Sequence, residues 1–116
     1  MTTPAARSPL PHHNLQVFHV ACELLVAVRD AHTRDAKLRD EALRAAKGAC
    51  LNIAEGAARA TRADKARAYT IGRGEAAEAA AALEIAVLLG AADAEHEARV
   101  VTLASRVVAM LTRLIH

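Results

Sequence analysis

Residues 35–58 read DAKLRDEALRAAKGACLNIAEGAA, and their spacing decides the fold class. Leu43, Ala46, Cys50, Ile53 and Ala57 recur three and four positions apart, the period that aligns side chains on one face of an α-helix. Asp35, just ahead of the run, is placed to cap the first turn, and Gly56 weakens the last one. The spacing predicts a helix over about 36–59.

The same period returns on both sides of this run. Downstream, Arg59, Ala60 and Thr61 read as a turn, and Thr61 with Asp64 three positions on resembles a capping box. A third helix follows over 62–89, with Gly72, Ala76, Ala79, Leu83 and Ala86 as its inner stripe and Gly90 as its C-terminal cap. Asp93 is placed to cap a fourth helix over 94–115. Its Val100, Leu103, Val107, Leu111 and Leu114, flanked by Ala104, Val108 and Ile115, form the most apolar face in the chain. Upstream, Asn14 is the expected N-cap of a first helix over 15–32, with Leu15, Phe18, Cys22, Leu25 and Val28 at helical spacing. Residues 1–13 hold all 3 prolines and little apolar material, so they are expected to form a flexible arm. Four helices joined by short links imply an all-α, antiparallel up-down-up-down four-helix bundle over 14–116.

Composition agrees with one helical core. A chain of 116 residues is long enough for a single domain and too short for two. Aromatic residues make up 2% of it, the pair Phe18 and Tyr69, while alanine abounds, a bias toward helix and away from sheet. The uncharged stretch from Ile85 to Ala92, near the end of helix three, is broken by Asp93, short of the roughly 20 residues of a spanning helix. The prolines and histidines that follow Arg7 leave no apolar core for a signal peptide, so a cytoplasmic protein is expected. Cys22 and Cys50 sit in apolar runs without CxxC spacing and read as reduced core residues.

Motifs that carry chemistry are missing. Di-iron carboxylate bundles need two Glu-x-x-His pairs, and the nearest approach here is Asp93 with His96 at a helix start. Gly72-Arg73-Gly74 lies inside a helix with no strand before it, so it is no phosphate loop. The expectation is a protein with no enzymatic activity, no metal and no cofactor. Asn52 and Glu55, three apart, flank Ile53 and are expected to meet each other or a polar group on a neighbouring helix. Glu78 is the expected partner of Arg59 or Arg73 in such a seam.

Net charge is only +2, but it is unevenly spread. Arg59, Arg62, Lys65, Arg67 and Arg73 face the single acid Asp64 in one short segment. On a helix Arg62, Lys65, Tyr69 and Arg73 fall along one side, with Tyr69 available for packing or stacking. Repeated around a ring of subunits, this patch would form a basic rim able to attract phosphates.

Asn52-Ile53-Ala54-Glu55-Gly56, followed by Arg59, Thr61, Asp64-Lys65, Arg73-Gly74 and Glu78, resembles the signature of a bacterial four-helix-bundle family. That family is named partly for reading frames in intervening sequences of 23S ribosomal RNA genes. The resemblance extends over Leu15 to Ala21 and Leu38 to Ala46. It implies an antiparallel bundle that assembles into a homopentamer, with no established enzymatic activity. A distant relative, the accessory protein of diversity-generating retroelements, is a basic pentamer that binds nucleic acid. Gly48 and Glu75 depart from the pattern, which more often has serine at both positions, as do Glu41, where it often has glutamine, and Ala68, where an aromatic is common. The expected function is therefore an oligomeric, nucleic-acid-binding accessory protein that uses Arg59, Arg62, Lys65, Arg67 and Arg73 on RNA or DNA phosphates. The alternative is a scaffold that binds a protein partner through its ring surface.

Overall fold

The computed structural model describes residues 9–116, so the first part of the expected arm, 1–8, lies outside the described residues. Four helices pack against one another with no strand among the described residues: α1 Gln16–Asp30, α2 Ala36–Ala58, α3 Arg62–Leu88 and α4 Ala94–Ile115. Each helix lies against its neighbours in the chain, α4 closes back on α1, and α1 barely touches α3 across the diagonal. This is the arrangement that short connections impose on antiparallel helices.

The start of α1 differs from the expectation. Asn14 is not its N-cap; it ends a short 3-10 turn, Pro11–Asn14, and Leu15 occupies the cap position without a side-chain bond. Pro11 explains the shift, because its fixed φ and missing N–H suit the first position of a helical turn. The Leu10 amide then donates to His13 Nδ1 at 2.9 Å. Other ends follow the reading more closely. Asp35 accepts from the Leu38 amide at 2.9 Å, and Thr61 Oγ1 accepts from the Asp64 amide at 3.1 Å. Gly90, at φ +72°, follows α3 in the left-handed conformation, with its amide donating to Val87 and that of Ala91 to Ala86. Those two bonds are the Schellman arrangement, which glycine adopts without steric cost.

Asp93 stands at the N-cap position of α4 but makes no cap bond. It turns instead to Arg34, 3.5 Å away in the α1–α2 link. Arg34 also donates its backbone amide to Ala91 at 2.7 Å and its guanidinium to the Gly90 carbonyl at 3.1 Å. One residue thus clasps the two loops at this end of the bundle.

The core is built on small side chains. Leu24, Ile53, Leu83, Val100, Val107 and Leu111 are its largest fully buried members, set among buried alanines of α2 and α3. Between these two helices Ala42, Ala45, Ala46 and Ala49 face Gly72, Ala76 and Ala79, so the backbones come close: a Cβ on Gly72 would lie 3.3 Å from that of Asn52. On α1 the buried face is rotated from the expected one. Val17, Val20, Ala21, Leu24, Ala27 and Val28 are buried, while Leu15, Phe18, Cys22 and Leu25 flank them. Gln16, His19, Glu23 and Asp30 gather on one side of α1, and the buried stripe is the one turned away from them, with Leu15, Phe18, Cys22 and Leu25 at its border.

Candidate nucleic-acid interface

The turn between α2 and α3 brings Arg59, Arg62, Lys65 and Arg67 to one end of the bundle, the end where α4 finishes. Thr61 caps α3 here and so fixes where its first turn points. The five expected phosphate ligands, however, have different occupations. Arg59 is ion-paired with Glu55 one turn back on α2. Lys65 donates to the carbonyls of Ala57 at 2.9 Å and Gly56 at 3.4 Å. There its ammonium meets the negative end of the α2 dipole and the orphan carbonyls of the last turn. Arg62 donates to the His116 carbonyl at 3.0 Å, which ties the start of α3 to the end of α4. Arg73 donates to Thr112 Oγ1 at 3.1 Å, and that hydroxyl donates in turn to Val108.

Arg67 alone of the five makes no hydrogen bond or ion pair among the described residues. With Arg59, Glu55, Asp64 and Asn52 it borders a shallow depression of about 180 Å³. The five cations therefore do not form one flat patch. Arg59 and Arg67 line this depression, whereas Arg62 and Arg73 bond to α4. Tyr69 does not stand among them as a stacking surface. It is buried, its ring lies against Gly56, and burial raises its phenol above the ordinary value.

The motif residues serve the α2–α3 seam. Ile53 is fully buried, Gly56 buried and Ala54 half-buried. The Asn52 amide donates to the Gly48 carbonyl of its own helix at 2.8 Å, and Glu55 holds Arg59, so the expected meeting of Asn52 with Glu55 does not occur. Glu78 pairs with neither Arg59 nor Arg73. Its partner is Arg44, which also reaches Glu41 at 3.3 Å and Glu75 at 3.4 Å. The reason is register: antiparallel α2 and α3 set residue 44, well up α2, against residues 75 and 78, while 59 lies at the opposite end. The Glu41 hydrogen bond, followed by the Glu78 and Glu75 charges, raises the Arg44 pKa further.

Arg44 was missed by reading residues one helix at a time. The signal for it lay in Gly48 and Glu75, two of the positions that the resemblance singled out. A Cβ at Gly48 would collide with Glu75 Oε2, so the glycine leaves the space that this carboxylate fills. The two departures are one feature, an acid accommodated by a missing side chain.

A family model described as 23S rRNA-intervening sequence protein matches residues 13–113. The chain belongs to this family. The match spans all four helices and takes in both the motif at 52–56 and the basic segment at 59–73. No curated protein matches the chain. Among the described residues no helix is long and apolar enough to cross a membrane, and no three His, Cys, Asp or Glu side chains converge where they could hold a metal ion.

Proposed function

We propose that this 23S rRNA-intervening sequence family member is a non-enzymatic, cytoplasmic accessory protein that assembles as a homopentamer and binds RNA through the basic end of its bundle. The observation that supports this reading most is the gathering of Arg59, Arg62, Lys65 and Arg67 at the α2–α3 turn, beside the end of α4. Cations at the start of α3 are unfavourable for that helix's own dipole. Lys65 gains from the end of α2, but Arg67 gains no partner inside the chain, which fits a role toward something outside it. Five copies around a ring would multiply a modest charge into a field that attracts phosphates. Tyr69 and Phe18 pack inward, so affinity would come from phosphate contacts, and it would be sensitive to salt and weakly selective for sequence.

The test is a titration of protein of known native mass against labelled RNA and DNA at two salt concentrations, with Arg62→Glu and Arg67→Glu compared singly and together. Binding that falls steeply with salt, and is lost in the double variant at unchanged mass, is the expected result. Absence of wild-type binding at low salt refutes the reading.

A scaffold that binds a protein partner is the second reading. It is favoured by the apolar residues left outside on α2 and α3, among them Leu51 at 70% and Leu88 at 85% exposure, with Ile71 and Ile85. Leu51 and Ile71 lie at one level of the α2–α3 seam and Ile85 and Leu88 about 20–25 Å further along α3, and large apolar side chains left in water along one seam suit an interaction surface. A protein captured equally well by wild type and the double variant would support it.

A further inference from the structure

Beyond residue 97, α4 carries no acid, and its outer side holds Arg99, Arg106 and Arg113. They are seven positions apart, so on a helix they point the same way at intervals of about 10 Å and span roughly 21 Å. All three are exposed. Among the described residues none of them takes part in an ion pair. They contribute nothing visible to the bundle, unlike Arg34, Arg44, Arg59, Arg62 and Arg73, each of which is bonded within it.

Charges on the neighbouring elements make the row lopsided rather than neutral. The α4 acids Glu95 and Glu97 are confined to its first turn, where they suit the helix dipole. Glu23 of α1 lies by Arg99, the two sharing the rim of a shallow groove with Thr102. On the α3 side Glu84 shares a shallow groove with Val101 and Ser105, toward the first half of the row, while at the end of α4 stand Arg73, bonded to Thr112, and Arg62, bonded to the His116 carbonyl. Positive charge therefore grows toward the end of α4, where Arg113 lies within a turn of His116 and so of the α2–α3 corner.

We infer that Arg99, Arg106 and Arg113 form a second phosphate-binding surface along α4, continuous with the basic end, and that its ligand is a nucleic-acid duplex. The inference rests on the RNA-binding reading and extends it from a corner to one whole side of the bundle. A duplex fits because its phosphates lie outside in rigid array, and a straight row of guanidiniums can meet them without any base being exposed. A single strand is held largely by stacking on aromatic side chains, and this surface has none.

The experiment is a salt titration of the full chain against an RNA hairpin stem, a DNA duplex and a single strand of equal length. Wild type is compared with the triple variant Arg99→Gln, Arg106→Gln, Arg113→Gln and with the triple Arg→Lys variant, native mass and helicity being checked for each. For duplexes, the glutamine variant should bind more than tenfold more weakly, with its log K against log salt slope shallower by about 2 to 3, at roughly 0.9 per duplex phosphate. The lysine variant should bind within a few-fold of wild type. If wild type binds duplex and the glutamine variant binds equally with the same slope, the α4 surface is refuted while the basic end stands. Equal loss in the folded lysine variant, or a wild-type preference for the single strand, also overturns it. Failure of wild type to bind any of the three refutes both surfaces together.

Discussion

At Gly56 a methyl group would arrive 2.6 Å from Cε1 of Tyr69 and 3.2 Å from Cβ of Ala68. The ring is buried and cannot swing aside, so Gly56→Ala should destabilise the fold by about 1–3 kcal/mol, read from a denaturant midpoint. Gly74 offers the opposite case. Nothing lies within 4 Å of its Cβ position, in the interior of α3, and Gly74→Ala should stabilise the chain by about 0.5–1 kcal/mol. Gly48 falls between the two, because the atom it would strike is the flexible end of Glu75. Gly48→Ser should therefore be mild alone and milder still with Glu75→Ser. A double-mutant cycle would show coupling beyond additivity. Of these glycines, sequence reading recognised Gly56 as a weak turn and Gly48 as a departure. It had no access to Tyr69 or Glu75 as the reasons, since both contacts cross from α2 to α3.

Caps and one buried thiol add to the core stripe where the elements meet. Lys65→Met removes the ammonium from the Ala57 and Gly56 carbonyls and should cost about 0.5–1 kcal/mol, more at low salt than at high. Between α1 and α2, Cys50 is buried beside the half-buried Cys22, both thiols free. Burial first, and Cys22 second, push the Cys50 thiol up from 9.0 to about 12. In the unfolded chain the thiol ionises near its ordinary value, so the folded state is the one that keeps the proton. The stability tied to this group is whole below pH 9 and drains away as pH rises toward 12. Denaturant midpoints at pH 8 and pH 10.5 should differ by less in Cys50→Ala than in wild type. Helix existence and the inner faces of α2, α3 and α4 were legible from spacing. The inner face of α1 was drawn one stripe aside, through Leu15, Phe18, Cys22 and Leu25, although the side opposite Gln16, His19, Glu23 and Asp30 is the one that Val17, Val20, Ala21, Leu24 and Val28 bury.

For the molecule as a whole, the alanine-rich α2–α3 seam lets backbones approach closely but buries little area per residue, since alanine contributes far less than leucine. A chain so built, with Leu51, Ile71, Ile85 and Leu88 outside, gains most by covering that surface with further copies. If it does, the melting temperature will rise with protein concentration, because assembly stabilises the folded state by mass action. A concentration-independent melt would mean the monomer stands alone. Fold class, the order of the four helices, the family and the basic bias of residues 59–73 were legible along the chain, because periodicity, capping residues and local charge are properties of neighbours in sequence. Which cations are occupied is settled by the packing of the helices. Lys65 closing α2, Arg62 and Arg73 reaching α4, Arg44 gathering Glu41, Glu75 and Glu78, and Arg67 with the α4 row left outward are pairings set by helix register and distance across the bundle, which no single helix encodes.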